Sequence, residues 1–515
     1  MRSSCSDWQE EQETEHSFFQ QTAMSKQYFK RSIFIFTGLL FTGSLFAQYS
    51  HLPSKDTMMK QMVTANQYFM DKWPDPGEDI VTDKVRPSNL WTRATYYEGL
   101  MALYAINPDE AYYHYAVDWG ESHEWKPTYG LLYTRDGDHQ CCGQTYIELY
   151  QLAPENTHWI EPITQCINFI VQDEKVDDWS WIDAIQMAMP VYAKLGVVHQ
   201  DTSYFRKMHE MYMFTKTRHG DNGLYNTEDH LWYRDRDFDP PYTTPGGKPC
   251  YWSRGNGWVF AALVRVLDVI PDTLAYREEY LTTFREMADA LIDIQREDGF
   301  WNPSLADPDH FGSKETSGTA FFAYGLAWGI NNGILDSATY IPHLIKAWNG
   351  MAYEALHPDG FLGYVQGTGK QPGDGYPFLY DKPANFEDYG LGAFLLAGSE
   401  AYKLAADTGS MPAFTPQTDP AGAVAESGFS GDDITLELYP NPASENFILH
   451  HEIKAPGELR ISVLNALGEV VGTENKYVTG GRDITRLNIR ELPRGMYLAV
   501  ITFGDKTQTI KFLKS

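Results

Sequence analysis

WIDAIQMAMPVYAKLG, residues 181–196, opens on a tryptophan and an aspartate and then runs apolar on nearly every face. A surface helix keeps a polar stripe, whereas a helix apolar all round is buried among neighbours. Five more stretches are built the same way: YYEGLMALYAI (96–106), CGQTYIELYQL (142–152), RGNGWVFAALVRVLDVI (254–270), SGTAFFAYGLAWGI (317–330) and EDYGLGAFLLAGSEAYKL (387–404). The intervening segments 158–173, 202–218, 276–295 and 338–356 are more polar and carry apolar residues at i, i+3, i+4 spacing. A buried helix alternating six times with an amphipathic one predicts an all-α (α/α)6 barrel over residues 48–405, with the apolar helices as its inner ring.

In such a ring the residues at the inner-helix starts face one cleft. Trp91, Asp138, Asp183, Arg254, Asn256, Thr319, Glu387 and Asp388 fall there, with Tyr97 and Ser317 as further substrate-binding candidates. Convergent polar groups backed by apolar helices are where a binding site is expected. Asp183 stands first, because burial raises a carboxyl's pKa as a general acid requires. A helix N-terminus favours the charged form instead, and an Asp there is also a common structural cap. Asp138, in RDGDHQCCGQTY, is the natural second carboxylate, with a turn role beside Gly137 as the alternative, and His139 beside it is a candidate proton carrier. Arg254 lies in CYWSRGNGW with Trp252, Asn256 and Trp258; Arg can clamp a carboxylate with two parallel hydrogen bonds, and Trp can stack on a sugar. The structural alternatives are an ion pair for Arg254 and a core position for Trp258. DHLWYRDRDF supplies a second aromatic-plus-Arg group, Trp232 and Arg234, next to His230.

The formal net charge of −28 leaves no basic stripe for nucleic acid. An anionic substrate would therefore need local arginines, acting within a screening length of roughly 8–10 Å. The 5 cysteines form no CxxC or Cys/His cluster, so neither a metal site nor a cofactor is expected. Cys141 and Cys142 are adjacent and rarely pair; Cys166–Cys250 is the conceivable bridge.

The chain ends read differently. SKQYFKRSIFIFTGLLFTGSLFA (25–47) has a basic start, a short apolar run and a small residue at Ala47, which predicts a signal peptide over residues 24–47. The run is too short and too interrupted by glycine for a stable membrane span. The polar residues 1–23 fit no export signal, and Met24 is the expected start. Residues 406–432 are rich in Ala, Gly, Ser, Pro, Thr and Asp, as a linker is. Alternating runs at 459–471, 484–492 and 496–515 predict a small β-sandwich over residues 433–515.

That tail resembles the type IX secretion sorting domain of Bacteroidetes at Leu438-Tyr439-Pro440-Asn441-Pro442-Ala443, Leu464-Asn465-Ala466-Leu467-Gly468 and Leu492-Pro493-Arg494-Gly495-Met496-Tyr497. The resemblance implies the secretion machinery as a partner and a secreted or cell-surface protein. WIDAIQMAMP, YWSRGNGW, ETSGTAFFAYGLAWG and FEDYGLGAFLLAGSE resemble glycoside hydrolase family 105, the unsaturated rhamnogalacturonyl hydrolases, and the related family 88 unsaturated glucuronyl hydrolases. This second resemblance implies a metal-free (α/α)6 barrel that removes a 4,5-unsaturated uronic acid from the non-reducing end of an oligosaccharide by hydrating its C4=C5 bond. It places Asp183 on the acid/base, Asp138 on the assisting carboxylate, and Arg254 and Trp252 on substrate contacts. Where many relatives carry a His soon after a Gly-Leu-aromatic motif, this chain has GLYN (223–226) and only His230 nearby, so its contacts to the uronate are expected to differ. LWYRDRDF resembles members acting on glucuronyl-rhamnose fragments of ulvan, with pectic rhamnogalacturonan still open. An inverting glycosidase with carboxylates ~6.5–9.5 Å apart, a polysaccharide lyase and a non-catalytic glycan-binding protein remain the alternatives.

Overall fold

The computed structural model describes residues 51–407, apart from 83, 221 and 383–387, and in the tail residues 434–439, 446–453, 455–465, 470–479, 481–490, 492–493, 495–504 and 506–514. The signal-peptide, start-site and linker expectations, Cys5, and Glu387 lie outside the described residues.

The helices are α1 (Lys55–Lys72), α2 (Trp91–Ile106), α3 (Glu110–Ser122), α4 (Gly137–Gln140), α5 (Gly143–Leu152), α6 (Glu161–Val171), α7 (Asp183–His199), α8 (Thr202–Thr217), α9 (Ser253–Leu267), α10 (Arg277–Asp293), α11 (Thr316–Asn331), α12 (Ser337–Gly350) and α13 (Asp388–Leu404). Two short hairpins interrupt them, β1 (Ile80–Val81) with β2 (Val85–Arg86) and β3 (Tyr225–Asn226) with β4 (Leu231–Trp232).

The six apolar stretches are α2, α5, α7, α9, α11 and α13. Contacts run α2 to α5, α5 to α7, α7 to α9, α9 to α11, α11 to α13 and α13 back to α2. Glycine explains the last of these. A Cβ on Gly99 of α2 would lie 2.4 Å from the Gly392 carbonyl oxygen, and a Cβ on Gly392 2.1 Å from the Thr95 carbonyl oxygen. Backbone therefore meets backbone where the first helix of this series packs on the last. The side chains of α7, α9 and α11 are buried along almost their whole length. The amphipathic helices contribute one buried face each; α6, for example, buries Ile163, Cys166, Ile167 and Ile170. Both α1 and α3 belong to this second set.

The strand-rich tail has β5 (Ile434–Tyr439), β6 (Asn446–Ile453), β7 (Gly457–Leu464), β8 (Val470–Val478), β9 (Gly481–Asn488), β10 (Gly495–Phe503) and β11 (Lys506–Lys514). They form two antiparallel sheets, ordered β5-β6-β9 and β11-β10-β7-β8. Phe447 and Leu449 of one sheet share an apolar cluster with Ile461, Val463, Ala499 and Phe512 of the other. The expected single strand at 459–471 is instead divided between β7 and β8.

All four cysteines from Cys141 to Cys250 are buried and free, so the conceivable Cys166–Cys250 bridge is absent. Cys166 Sγ instead lies 3.3 Å from the Thr134 carbonyl oxygen. No described helix is long and apolar enough to cross a membrane.

Candidate active site

The segment that follows β4 pins the start of α7. Trp181 bridges Asp235, and the Ile182 amide donates to the Arg234 carbonyl at 3.0 Å. This pairing carries the Arg234 side chain to the first turn of α7. There its Nε donates to Asp183 Oδ2 at 3.2 Å, while Nη1 donates to Asp235 Oδ2 at 2.6 Å. Among the described residues no hydrogen bond engages Nη2, and the side chain keeps 19% of its surface exposed.

Asp183 is buried. Removal from water pushes its carboxyl above the ordinary range, against the pull of Arg234 and Arg254. Asp138 lies in α4, whose start is capped by Asp136 Oδ1 accepting the Asp138 amide at 3.0 Å. Asp138 is half-buried as a residue, its carboxyl group turned away from solvent, and among the described residues that carboxyl accepts no hydrogen bond. Burial first, then the charges of Asp136 and Asp183, raise it well above the usual carboxylate range, with Arg234 opposing. The Asp138 carboxyl thus lies within the field of Asp183, with the Arg234 guanidinium acting on both.

His139 borders this pair. Its Nδ1 lies 3.0 Å from Thr134 Oγ1, and its ring meets the exposed Tyr129 edge-on at 5.3 Å. Trp91, the first residue of α2, is partly exposed and lies 5.4 Å from Tyr389 and 5.9 Å from Trp258 between ring centroids. Asp183, Asp138, Arg234 and His139 are thus the expected site residues that lie together, and Trp91 keeps an accessible surface beside Tyr389.

The remaining expected contacts take supporting positions. Arg254 is fully buried: Nη1 donates to the Gln366 carbonyl at 2.9 Å and Nη2 to that of Gly367 at 2.8 Å. Its guanidinium packs over Trp252 at 4.5 Å and Tyr389 at 4.9 Å. Both arms that would clamp a substrate carboxylate are occupied by backbone. Trp252 is buried, with Nε1 donating to Gln366 Oε1 at 2.8 Å. Asn256 accepts from the Trp232 amide at 2.8 Å and donates to the carbonyls of Trp232 and Trp252, both at 3.0 Å. Trp258 packs on Phe321 in the core at 4.4 Å, and Trp232 is buried with Nε1 3.3 Å from Met287 Sδ. Tyr97 stacks on Trp119 at 4.0 Å, also in the core.

Ser317 and Thr319 serve Glu315, which caps α11 from a fully buried position. Glu315 accepts from Ser317 N (2.9 Å), Ser317 Oγ (2.6 Å), Gly318 N (2.7 Å) and Gln366 N (3.2 Å), while Thr319 Oγ1 donates to its carbonyl at 2.7 Å. A Cβ on Gly318 would lie 2.3 Å from Ser253 Oγ, so glycine lets α11 approach α9 here. His230 turns to Tyr225 Oη at 3.2 Å and Glu286 of α10 at 3.6 Å, away from the acids. Asp388 is buried in an ion pair with Arg93 at 3.0 Å.

Sequence reasoning missed Gln366, Asp235, Glu315 and Tyr389. Gln366 accepts from Trp252 and Arg254, and its Nε2 donates to the carbonyls of Gln371, Pro372 and Asp374. Only the ETSG cap was readable, as an acid ahead of an apolar helix.

Comparison with known proteins bears on this geometry. The model of Glycosyl Hydrolase Family 88 matches residues 56–405, and that of a secretion system C-terminal sorting domain matches residues 437–515. An unsaturated 3S-rhamnoglycuronyl hydrolase of Formosa agariphila is 32% identical over 335 residues, 61% of this chain and 84% of that one. A solved glycosyl hydrolase family 88 structure from Bacteroides vulgatus superposes with a TM-score of 0.62 at 34% identity, covering 68% of this chain and 99% of the other. A solved structure described as a polysaccharide lyase gives a TM-score of 0.61 at 34% identity, covering 68% of this chain and 98% of its own.

Proposed function

Because this chain belongs to Glycosyl Hydrolase Family 88 and acts as a glycosidase on unsaturated uronic acid ends, we propose how it does so and on what. Residues 48–405 form an (α/α)6 barrel, residues 433–515 a β-sandwich joined by the linker 406–432, and residues 24–47 a signal peptide. The sorting domain directs type IX secretion to the cell surface or exterior.

The reading rests on one arrangement: a buried Asp183 beside a half-buried Asp138, with the Arg234 guanidinium donating to Asp183 through Nε and its Nη2 unengaged among the described residues. A C4=C5 enol ether is activated by protonation at C4, which needs a neutral acid in place. Asp183 delivers that proton. Positive charge then develops at C5 and the ring oxygen, and the carboxylates below it stabilise that charge. Water adds at C5 and gives its proton to a carboxylate. The hemiketal opens to a ketone at C5, the C1 hemiacetal collapses to an aldehyde, and the remaining saccharide leaves with a hydroxyl.

Arg234, rather than Arg254, receives the uronate carboxylate through its free Nη2. Trp91 offers a face to the sugar ring, and His139 borders the leaving side. The substrate is a glucuronyl-rhamnose fragment of the ulvan type, supported by the rhamnoglycuronyl specificity in the name of the Formosa agariphila relative. Pectic rhamnogalacturonan fragments are the competing substrate.

Ultraviolet absorbance of the conjugated double bond tests this on fragments made by ulvan lyase and by rhamnogalacturonan lyase. Absorbance falls with ulvan fragments on this account; a fall confined to pectic fragments reassigns the substrate. The polysaccharide-lyase neighbour motivates a second reading. A lyase would make absorbance rise on the intact polymer, which overturns the hydrolase assignment.

A further inference from the structure

A chain of buried charged and amide groups links α2, α5, α7 and α9 and reaches the end of α4. Glu98 of α2, fully buried, is its first member. Its Oε1 accepts from Cys141 Sγ at 3.5 Å, and its Oε2 accepts from Gln186 Nε2 at 2.8 Å. Cys141 follows Asp138 by three residues at the end of α4, and Gln186 lies one turn beyond Asp183 on α7. One carboxyl therefore ties together the two elements that carry the two acids. Gln144 of α5 adds a cross-tie, donating to the Gln186 carbonyl at 2.8 Å.

We propose that Glu98 is a positioning residue for the reaction: it fixes the Asp138 and Asp183 elements against each other, and its charge helps keep the catalytic proton in place. The proposal rests on the assignment of Asp183 and Asp138 as the reacting pair. None of the groups in this chain touches the substrate face.

The charged groups facing Glu98 come from several helices. Arg265 of α9 lies 3.4 Å away, and it also binds Gln144 at 2.6 Å and Glu148 of α5 at 2.7 Å. Lys194 of α7 pairs with Glu148 at 2.9 Å, and Tyr324 of α11 lies close enough to Arg265 to feel its charge. With Glu98 ionised, two cations and two anions balance; with Glu98 neutral, one positive charge is left over. Burial pushes Glu98 up to about 7, Arg265 opposing and Glu148 reinforcing. An ionised Glu98 favours the protonated forms of the acids, and the unbalanced cation left by its loss favours their ionised forms.

A purely structural tie would keep the helices together and nothing more. Two variants separate the roles. Glu98→Gln retains size and one of the two accepting oxygens but removes the charge; the alkaline limb of its kcat/KM profile moves to lower pH by about half a unit to one unit. Glu98→Ala removes both ties, and kcat falls about 10–100-fold with KM little changed, since a small misplacement of reacting groups costs that much. Should either fail to fold, Cys141→Ala and Gln186→Leu each cut one tie, and each lowers kcat. Variants with a lower melting temperature but unchanged kcat and an unmoved alkaline limb overturn the proposal. Asp183→Asn serves as the control: full activity there would instead sink the assignment of the acids.

Discussion

Arg254→Lys separates the two roles open to the arginine of YWSRGNGW. In the structure its two terminal nitrogens donate to adjacent carbonyls, Gln366 at 2.9 Å and Gly367 at 2.8 Å, with no exposed surface. Each hydrogen bond from a charged donor contributes ~1.5–3 kcal/mol, and a buried acceptor left bare costs ~1–3 kcal/mol. Lysine keeps the charge but presents a single donor centre that cannot span both carbonyls. It also loses the planar packing over Trp252 and Tyr389, which adds ~0.5–2 kcal/mol. Allowing for relaxation, the substitution destabilises the helical domain by about 3 kcal/mol. Denaturant unfolding of the full chain, followed by tryptophan fluorescence, reads this directly. No Trp lies beyond Trp348, so the strand-rich tail is silent. The midpoint drops at constant slope. An unchanged midpoint together with a KM raised tenfold or more would refute the reasoning and return Arg254 to the substrate carboxylate.

Three further outcomes follow from the same site. Arg234→Gln removes the free guanidinium arm and the cation that lowers the proton affinity of Asp183; KM rises about 10–100-fold, as for loss of a charge-assisted pair, and the alkaline limb moves to higher pH, seen in kcat/KM profiles. Stability also depends on pH. The carboxyls of Asp138 and Asp183 are raised, so their contribution is complete below the ordinary carboxylate range and is lost as pH rises through their folded values; melting curves of wild type against Asp138→Asn converge at about pH 3–4 and diverge above it, the variant being the more stable. Ending the chain at residue 407 leaves turnover unchanged, because the tail's apolar cluster shares no residue with that of the helical domain, while immunoblots of whole culture find the truncated protein retained by the cell.

Much of this was readable from pattern alone. A stretch such as AFFAYGLAWGI has no polar face to give to water, so its burial follows from composition. Asp183 stood out because a carboxylate opens such a helix. What the pattern could not separate was lining from support. Arg254, Asn256, Ser317 and Thr319 all sit in the first turns of the apolar helices α9 and α11, but for Arg254 and Asn256 long-range partners decide the role. Arg254 answers carbonyls 112 and 113 residues away, and Asn256 a strand 24 residues upstream. For Ser317 and Thr319 the cap was local and legible, yet the depth of Glu315 was not. His230 failed for a different reason: it lies at a hairpin end with a positive φ of 55°, and that turn aims it at Glu286 rather than at α7. Arg234 ends beside Asp183 through a single β-bridge that no local periodicity announces.

The account's central claim is that Asp183 protonates C4 of an unsaturated uronate. Turnover of an ulvan-lyase fragment in D2O, with early quenching and NMR of the released sugar, tests it most directly. The expected result is one deuteron newly bonded to C4 in step with release of the remaining saccharide, and a rate lowered ~100–10,000-fold in Asp183→Asn. Release of a sugar that still carries its C4=C5 double bond, with no deuterium at C4, would contradict it.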